Sequence, residues 1–93
     1  MSINEQLFCN IDLNLTITFL VLFREGSVSR TAACMNVGQP AVSGSLSRLR
    51  SYFDDPLFIR TKSGVRPTHK AILIEQKLSP ALHCIEAVLT GNV

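Results

Sequence analysis

Residues 27–50, SVSRTAACMNVGQPAVSGSLSRLR, are the most informative stretch of this 93-residue chain. The stretch predicts two helices joined by a very short turn. Asn36 tolerates the left-handed conformation that ends a helix, and Gly38 can begin the next one. Pro40 suits the first turn of the second helix, where a backbone N–H has no partner in the helix anyway. This order of elements is typical of a helix-turn-helix.

The second helix of the pair has two contrasting faces. One face is apolar at helical spacing, which predicts packing in a core. It comprises Val42, Leu46, Leu49 and Phe53. The other face is made of small residues and ends on a base. It comprises Pro40, Ser43, Gly44, Ser47 and Arg50. Serine and glycine are mediocre helix formers, and a solvated face more often carries Glu, Lys and Gln. This face can pack against another helix, or it can approach a polyanion such as DNA.

The distribution of charge favours the second interpretation. The whole chain has a net charge of only +2. Residues 1–23 carry two acids and no base, whereas residues 24–70 carry eight bases against three acids, a net of +5. Residues 71–93 return to a net of −1. The basic segment therefore coincides with the helix pair and the twenty residues after it, as in proteins that bind nucleic acid.

Another helix is predicted on the N-terminal side of the pair. Residues 1–11 read as a loose or short helical lead, and Asp12 can cap a helix that ends near Glu25. The apolar residues of this segment alternate like a strand and also line one helix face, and the length favours a helix. Ser27 or Ser29 can cap the next helix. Its expected buried residues are Val28, Ala32, Ala33 and Met35.

The segment after Phe53 predicts a two-stranded ribbon. Residues 54–56, DDP, end the preceding helix, and residues 57–60 and 65–68 read as short strands around a turn. Pro67 confines the second strand to an edge or to its end. The ribbon carries Arg60, Lys62 and Arg66. It is typical of the wing of winged helix proteins, which lies along the DNA backbone or in the minor groove, and a hairpin with solvated charges is the alternative.

The last predicted element is a long helix from Lys70 almost to Thr90. Pro80 is expected to kink it or to divide it in two, because proline cannot donate to the carbonyl four residues back. Apolar residues recur at alternating spacings of three and four, which is typical of helix pairing. We expect the helix to bury one side on its own domain and another on a partner. The predicted dimerisation residues are Ala71, Ile74, Leu78, Ala81, Leu82, Ile85, Val88 and Leu89.

Composition excludes several other classes of protein. A 46% hydrophobic content predicts one small folded domain, too short for a catalytic cleft between two domains. We find no carboxylate pair, metal cluster or phosphate loop, and therefore expect neither an enzyme nor a cofactor or metal site. The apolar run at residues 13–23 is too short to cross a bilayer, and no basic segment precedes it. We expect a cytoplasmic protein without a membrane partner.

The cysteines fit the same expectation. Cys9, Cys34 and Cys84 are odd in number and far apart, which predicts reduced thiols in the cytosol. Cys34, beside Ala33, is expected to pack in the core, and a redox sensor is the alternative.

The order of elements and several short strings resemble the N-terminal DNA-binding domain of LysR-type transcriptional regulators, over nearly the whole chain from about Asp12. The strings include Gly26-Ser27, Thr31-Ala32-Ala33, VGQPAVS at residues 37–43, DPLFIR at residues 55–60 and Arg66-Pro67-Thr68. The string PTHKA at residues 67–71 and Leu78-Ser79-Pro80-Ala81 are similar to the NodD-like and LeuO-like branch.

This resemblance implies a mainly α fold in which residues 1–69 form a winged helix-turn-helix of three helices and a two-stranded wing. Residues 70–93 would form the linker helix that dimerises. The C-terminal effector-binding domain of the family is absent from this chain, which ends where the linker is expected to end. We therefore expect a DNA-binding fragment of a longer regulator, and a naturally short protein is the alternative. A small-molecule effector would act only through the missing domain.

The resemblance also implies a bacterial, nucleoid-associated protein that binds double-stranded DNA in a sequence-specific way. A homodimer, or a tetramer of the full-length protein, would bind an imperfect palindrome, with the recognition helix in the major groove and the wing on the backbone or in the minor groove. The predicted DNA-binding residues are Ser27, Arg30, Gln39, Pro40, Ser43, Gly44, Ser47, Arg48, Arg50, Arg60, Lys62, Arg66 and Thr68. The alternative function is a winged-helix protein-interaction module whose basic face is only solvated.

Three positions depart from the family pattern. Gly44 stands where many members have Arg, so the target preference of this chain is expected to differ. Gly38 replaces the usual capping Ser, a change that costs only a few tenths of a kcal/mol. Ser63 stands where Arg is common in the wing, and Lys62 beside it supplies a charge.

Overall fold

The computed structural model describes residues 2–92. Over that range the chain forms α1 (Glu5–Cys9), α2 (Asn14–Glu25), α3 (Val28–Met35), α4 (Gln39–Phe53), β1 (Phe58–Thr61), β2 (Gly64–Pro67) and α5 (His69–Leu89). The two strands pair antiparallel, with Phe58 opposite Pro67 and Thr61 opposite Gly64. The predicted mainly α winged helix-turn-helix with a long final helix is confirmed. α1 is the expected short helical lead.

Local side-chain chemistry explains where the helices begin and end. The Asp12 carboxylate accepts a hydrogen bond from the Asn14 amide at 2.9 Å at the start of α2. The Ser27 hydroxyl caps α3 by accepting from the Arg30 amide at 3.2 Å, so Ser27 and not its neighbour two residues on is the cap. Asn36 ends α3 in the left-handed conformation, with φ of 55°. The predicted Ser27 cap and the Asn36 helix end are therefore confirmed. The prediction of Asp12 as the cap of α2 is off by one residue, because Leu13 takes the cap position and makes no side-chain capping bond.

The core lies where α2, α4 and the start of the hairpin meet. Phe19 of α2 and Phe58 of β1 are fully buried, and their ring centroids are 5.5 Å apart. From α4, Val42, Leu46 and Leu49 are buried, as their spacing predicts. Phe53, at the end of the same stripe, is half-buried and packs against this cluster. The apolar stripe of α4 therefore fixes which of its faces is left for solvent.

α3 corrects two expectations about burial. Ala33 and Cys34 were predicted to be buried, and both are exposed. The inward position is taken by Thr31, which is fully buried and whose hydroxyl donates to the Ser27 carbonyl at 2.8 Å. The reason is helical geometry: the inward stripe runs at spacings of three and four from Val28, and residues 33 and 34 fall on the other side. Cys9 and Cys84 are also exposed.

Each hairpin strand is shifted by one residue from the prediction, β1 to residues 58–61 and β2 to residues 64–67. β1 begins at Phe58 instead of Leu57, because Leu57 has φ of 63°, far from the values of a strand. β2 ends at Pro67 because Thr68 caps α5 by accepting from the Ala71 amide at 3.1 Å.

α5 is continuous through Pro80, so the prediction that Pro80 divides the helix is wrong; a kink there stays a prediction. Ala71 was predicted to lie in the dimer interface, and this is also wrong because Ala71 is fully buried in its own domain. Ile74 and Leu78 are half-buried against the same core. Beyond them the exposed fraction of the apolar side chains rises, to 62% at Val88.

Within the part of the chain that is described, no helix is long and apolar enough to cross a membrane.

Candidate nucleic-acid interface

The turn between α3 and α4 leaves the start of α4 open. The amides of Asn36 and Val37 return to carbonyls in the last turn of α3, at 3.2 and 3.0 Å. Gly38 begins α4 in an extended conformation and has no side chain with which to cap it. Residues 37–41 are all exposed. The first amides of α4 therefore lack a capping side chain, and such amides can hold a phosphate.

The outward face of α4 is exposed along its length. The predicted DNA-binding residues of α4 are all exposed, namely Gln39, Pro40, Ser43, Gly44, Ser47, Arg48 and Arg50. Apart from its chain neighbours and the backbone of its own helix, a Cβ atom at Gly44 would meet no atom of the protein within 4 Å. The packing of the domain therefore gives no reason for a glycine at this place. Pro40, Ser43, Gly44 and Ser47 have short side chains, so a partner surface can come close to the helix backbone there.

The wing carries its bases on both of its faces. Arg60, Lys62 and Arg66 are all exposed. In the register of the hairpin, Arg60 pairs with Val65, and Arg66 pairs with Ile59. Because cross-strand partners share a face and successive residues alternate, Arg60 and Arg66 lie on opposite faces of the wing. One flat contact therefore cannot use both side chains equally.

The root of the wing approaches the corner between α2 and α3. The Val65 amide donates to the Gly26 carbonyl at 2.9 Å. Gly64 has φ of 148°, and a Cβ atom there would collide with the same Gly26 oxygen. Only glycine fits this contact. The close approach places β2 beside Ser27, so the start of α3 and the wing form one continuous surface.

The side chains of three predicted DNA-binding residues form hydrogen bonds within the protein. The Ser27 hydroxyl caps α3 and lies 3.0 Å from the Ser29 hydroxyl. The Thr68 hydroxyl caps α5 and donates to Asp55 at 2.8 Å. The Arg50 guanidinium donates to two backbone carbonyls between α4 and the wing. The hydrogen bonds hold these side chains in place, so they stabilise the interface and are not free to bind DNA.

Asp55 was predicted only to help end α4 and was not among the predicted site residues. One oxygen, Oδ2, accepts from the Leu57 amide at 2.9 Å and from the Thr68 hydroxyl at 2.8 Å. The backbone bond from Leu57, then the bond from Thr68 and the charge of Lys70, lower the pKa of Asp55. Thr68 lies thirteen residues further along the chain, so no local pattern could have revealed this contact.

Arg24 belongs to the basic segment, but its side chain is paired with an acidic side chain of the protein. Its Nε atom lies 2.9 Å from a carboxylate oxygen of Glu25. This hydrogen bond raises the pKa of Arg24. In residues 2–92, no group of three or more His, Cys, Asp or Glu side chains is placed to hold a metal ion.

Residues 13–71 match the sequence profile of bacterial regulatory helix-turn-helix proteins of the lysR family. The chain belongs to the LysR family. It is 47% identical over 70 residues to the HTH-type transcriptional regulator YidZ of Salmonella newport. That match covers 75% of this chain and 22% of YidZ, so the chain spans about a fifth of the length of this curated relative. The predicted LysR membership is confirmed, and the NodD-like and LeuO-like branch stays a prediction.

Solved structures of LysR-type proteins share the fold. The probable transcriptional regulator PA0477 from Pseudomonas aeruginosa is 32% identical, with a TM-score of 0.84 over 90% of this chain and 28% of that chain. Vibrio fischeri DarR, solved in complex with DNA, is 26% identical, with a TM-score of 0.77 over 88% of this chain and 28% of that chain. The winged helix-turn-helix of this chain is therefore that of the LysR family.

Proposed function

We propose that this chain is a sequence-specific DNA-binding domain of a bacterial transcriptional regulator. The observation that carries the proposal is the exposed, small outward face of α4 beside a basic wing. The LysR family membership supports it, as does the complex of DarR with DNA. Because the relatives are named transcriptional regulators, we assign no enzymatic reaction to the chain. A protein with this role must reach the chromosome, so we place it in the bacterial cytoplasm.

The contacts divide into two classes. We assign base-edge contacts in the major groove to the outward face of α4, where short side chains let the helix approach closely. We assign backbone contacts to the exposed bases around that face, namely Arg30, Arg48, Arg60, Lys62 and Arg66. Arg60 and Arg66 project from opposite faces of the wing, so we expect one of them to contribute more than the other. Ser27 contributes by fixing the start of α3.

A second copy of the chain would cover an apolar groove on the surface of this domain. A groove of about 740 Å³ lies between α2 and the C-terminal half of α5. Its lining is largely apolar and includes Ile17, Leu20, Leu82, Ile85 and Leu89. Ile85 and Leu89 are 47% and 81% exposed, an unusual state for large apolar residues on successive turns of one helix. We assign this surface to homodimerisation, which matches a palindromic DNA site.

A salt titration of DNA binding tests the proposal. The purified chain is mixed with a labelled pool of random duplexes, and bound sequences are selected and measured again between 50 and 200 mM salt. About six phosphate contacts per monomer predict a loss of affinity on the order of 10³-fold for each bound monomer over this range. Enrichment of an imperfect palindrome would support the assignment. Absence of binding at low salt would instead favour the protein-interaction alternative.

A further inference from the structure

Arg50 joins the recognition helix directly to the wing. It lies in the last turn of α4. Its Nε atom donates to the Pro56 carbonyl at 2.7 Å, and its Nη2 atom donates to the Phe58 carbonyl at 2.9 Å. Phe58 is the first residue of β1. Two nitrogens of one planar guanidinium are therefore held by two carbonyls on either side of Leu57.

The segment that Arg50 holds is a bend that needs support. Leu57 is fully buried and has φ of 63°, a conformation that is strained for a residue with a side chain. Its amide donates to Asp55, and its carbonyl accepts from the Thr68 amide at 2.8 Å. Arg50 binds the carbonyls before and after this residue. The direction in which β1 leaves the domain is thus set by contacts on both sides of the bend.

A two-stranded hairpin has little stability of its own, so its orientation depends on contacts at its root. β2 is held there by the bond from Val65 to Gly26. β1 is held by Arg50 through the Phe58 carbonyl. The first contact ties the wing to the corner before α3, whereas the second ties it to α4. Arg50 therefore supplies a direct side-chain link between the wing and the helix that we assign to the major groove.

We propose that Arg50 is a positioning residue that fixes the wing relative to α4 and acts on DNA through the wing instead of binding phosphate itself. The inference rests on the proposed DNA-binding function. To bind a phosphate through Nε and Nη2, the side chain would have to release both carbonyls. Lysine keeps the charge but has a single ammonium group, so it cannot reproduce this two-point contact.

A double-mutant cycle separates positioning from direct contact. Arg50→Lys is measured in the full chain and in a background in which the three wing bases are changed, Arg60→Ala, Lys62→Ala and Arg66→Ala. The probe is a DNA duplex selected by the wild-type protein, at low salt. We expect Arg50→Lys to weaken binding about 5- to 10-fold in the wild-type background and by less than about 2-fold in the altered one, because coupled residues are non-additive.

Arg48→Lys is the matched control, since it conserves the charge at an exposed position of the same helix. Its effect is expected to be the same in both backgrounds. An equal loss for Arg50→Lys in both backgrounds would overturn the inference, and so would no loss in the wild-type background. Failure of the wild-type protein to bind any duplex would instead refute the proposed function.

Hydrogen exchange gives a second readout that a general loss of stability would not mimic. In Arg50→Lys without DNA, amides of residues 58–66 are expected to exchange at least about 10-fold faster, while amides of α2 keep their wild-type rates. Uniform acceleration in the wing and in α2 would show that Arg50 only stabilises the domain, and would overturn the positioning role.

Discussion

The carboxylate of Asp55 accepts a hydrogen bond from the hydroxyl of Thr68 at 2.8 Å, across thirteen residues of chain. The same Asp55 oxygen accepts from the Leu57 amide, and the Thr68 hydroxyl accepts from the Ala71 amide. One carboxylate thereby joins the end of α4, the root of the wing and the start of α5. The three elements that we assign to DNA binding and dimerisation meet at this junction.

Asp55→Asn is expected to make the domain less stable at neutral pH. It is also expected to weaken the dependence of the free energy of unfolding on pH in the acid range. The folded state lowers the pKa of Asp55 below the value of about 4 for an unfolded chain. The stabilisation is therefore present above pH 4 and is lost as the pH falls through the folded pKa. Chemical denaturation between pH 2.5 and 7 measures this dependence. Asp54→Asn removes the same charge at the neighbouring exposed position and should retain the wild-type slope below pH 4.

Gly44→Ala is expected to stabilise the protein and to weaken its binding to DNA. Alanine favours a helix interior over glycine by about 0.5–1 kcal/mol, and the new Cβ atom would not collide with any other element of the protein. On the surface that we assign to the major groove, the same methyl group would keep DNA from the helix backbone. Thermal unfolding and DNA titration of one preparation test both effects. A stabilised variant with unchanged affinity would show that the glycine has no role in close approach.

Arg66→Ala and Ser43→Ala are expected to affect DNA recognition in different ways. Loss of a phosphate contact by Arg66 should weaken binding to all sequences alike and reduce the salt slope by about one. Loss of the Ser43 hydroxyl should change the ranking of sites, by about 1–3 kcal/mol at the affected base pair. Binding to a library of site variants distinguishes the two outcomes. The same profile for both variants would refute this division of roles.

Ile85→Glu is expected to dissociate the homodimer. Ile85 is 47% exposed and lines the apolar groove beside α2, so a charge there would be buried without a partner when a second copy binds. We expect the dissociation constant to rise by at least about tenfold, measured by analytical ultracentrifugation. Gln76→Glu adds the same charge at another exposed position of α5 and should leave the association unchanged. A wild-type protein that is monomeric at high concentration would refute the assignment of this surface.

Local patterns in the chain were enough to predict the elements and their order. The Ser27 cap and the spacing of Val42, Leu46 and Leu49 act within one or two helical turns. Their physics is local, so a single sequence is enough to reveal it. Residues 37–43, together with DPLFIR at residues 55–60, also pointed to the LysR family, which the family profile confirms.

Contacts between distant residues were settled by packing alone. Ala71 fits the apolar seam of α5, yet it is buried in its own domain because the Thr68 cap starts α5 against the core. Arg50 reads as a surface base, yet its guanidinium is held by backbone carbonyls six and eight residues away. These partners are brought together by the fold and not by sequence spacing. A sequence pattern can therefore assign a residue to a helix or strand. The tertiary structure shows which groups its side chain contacts.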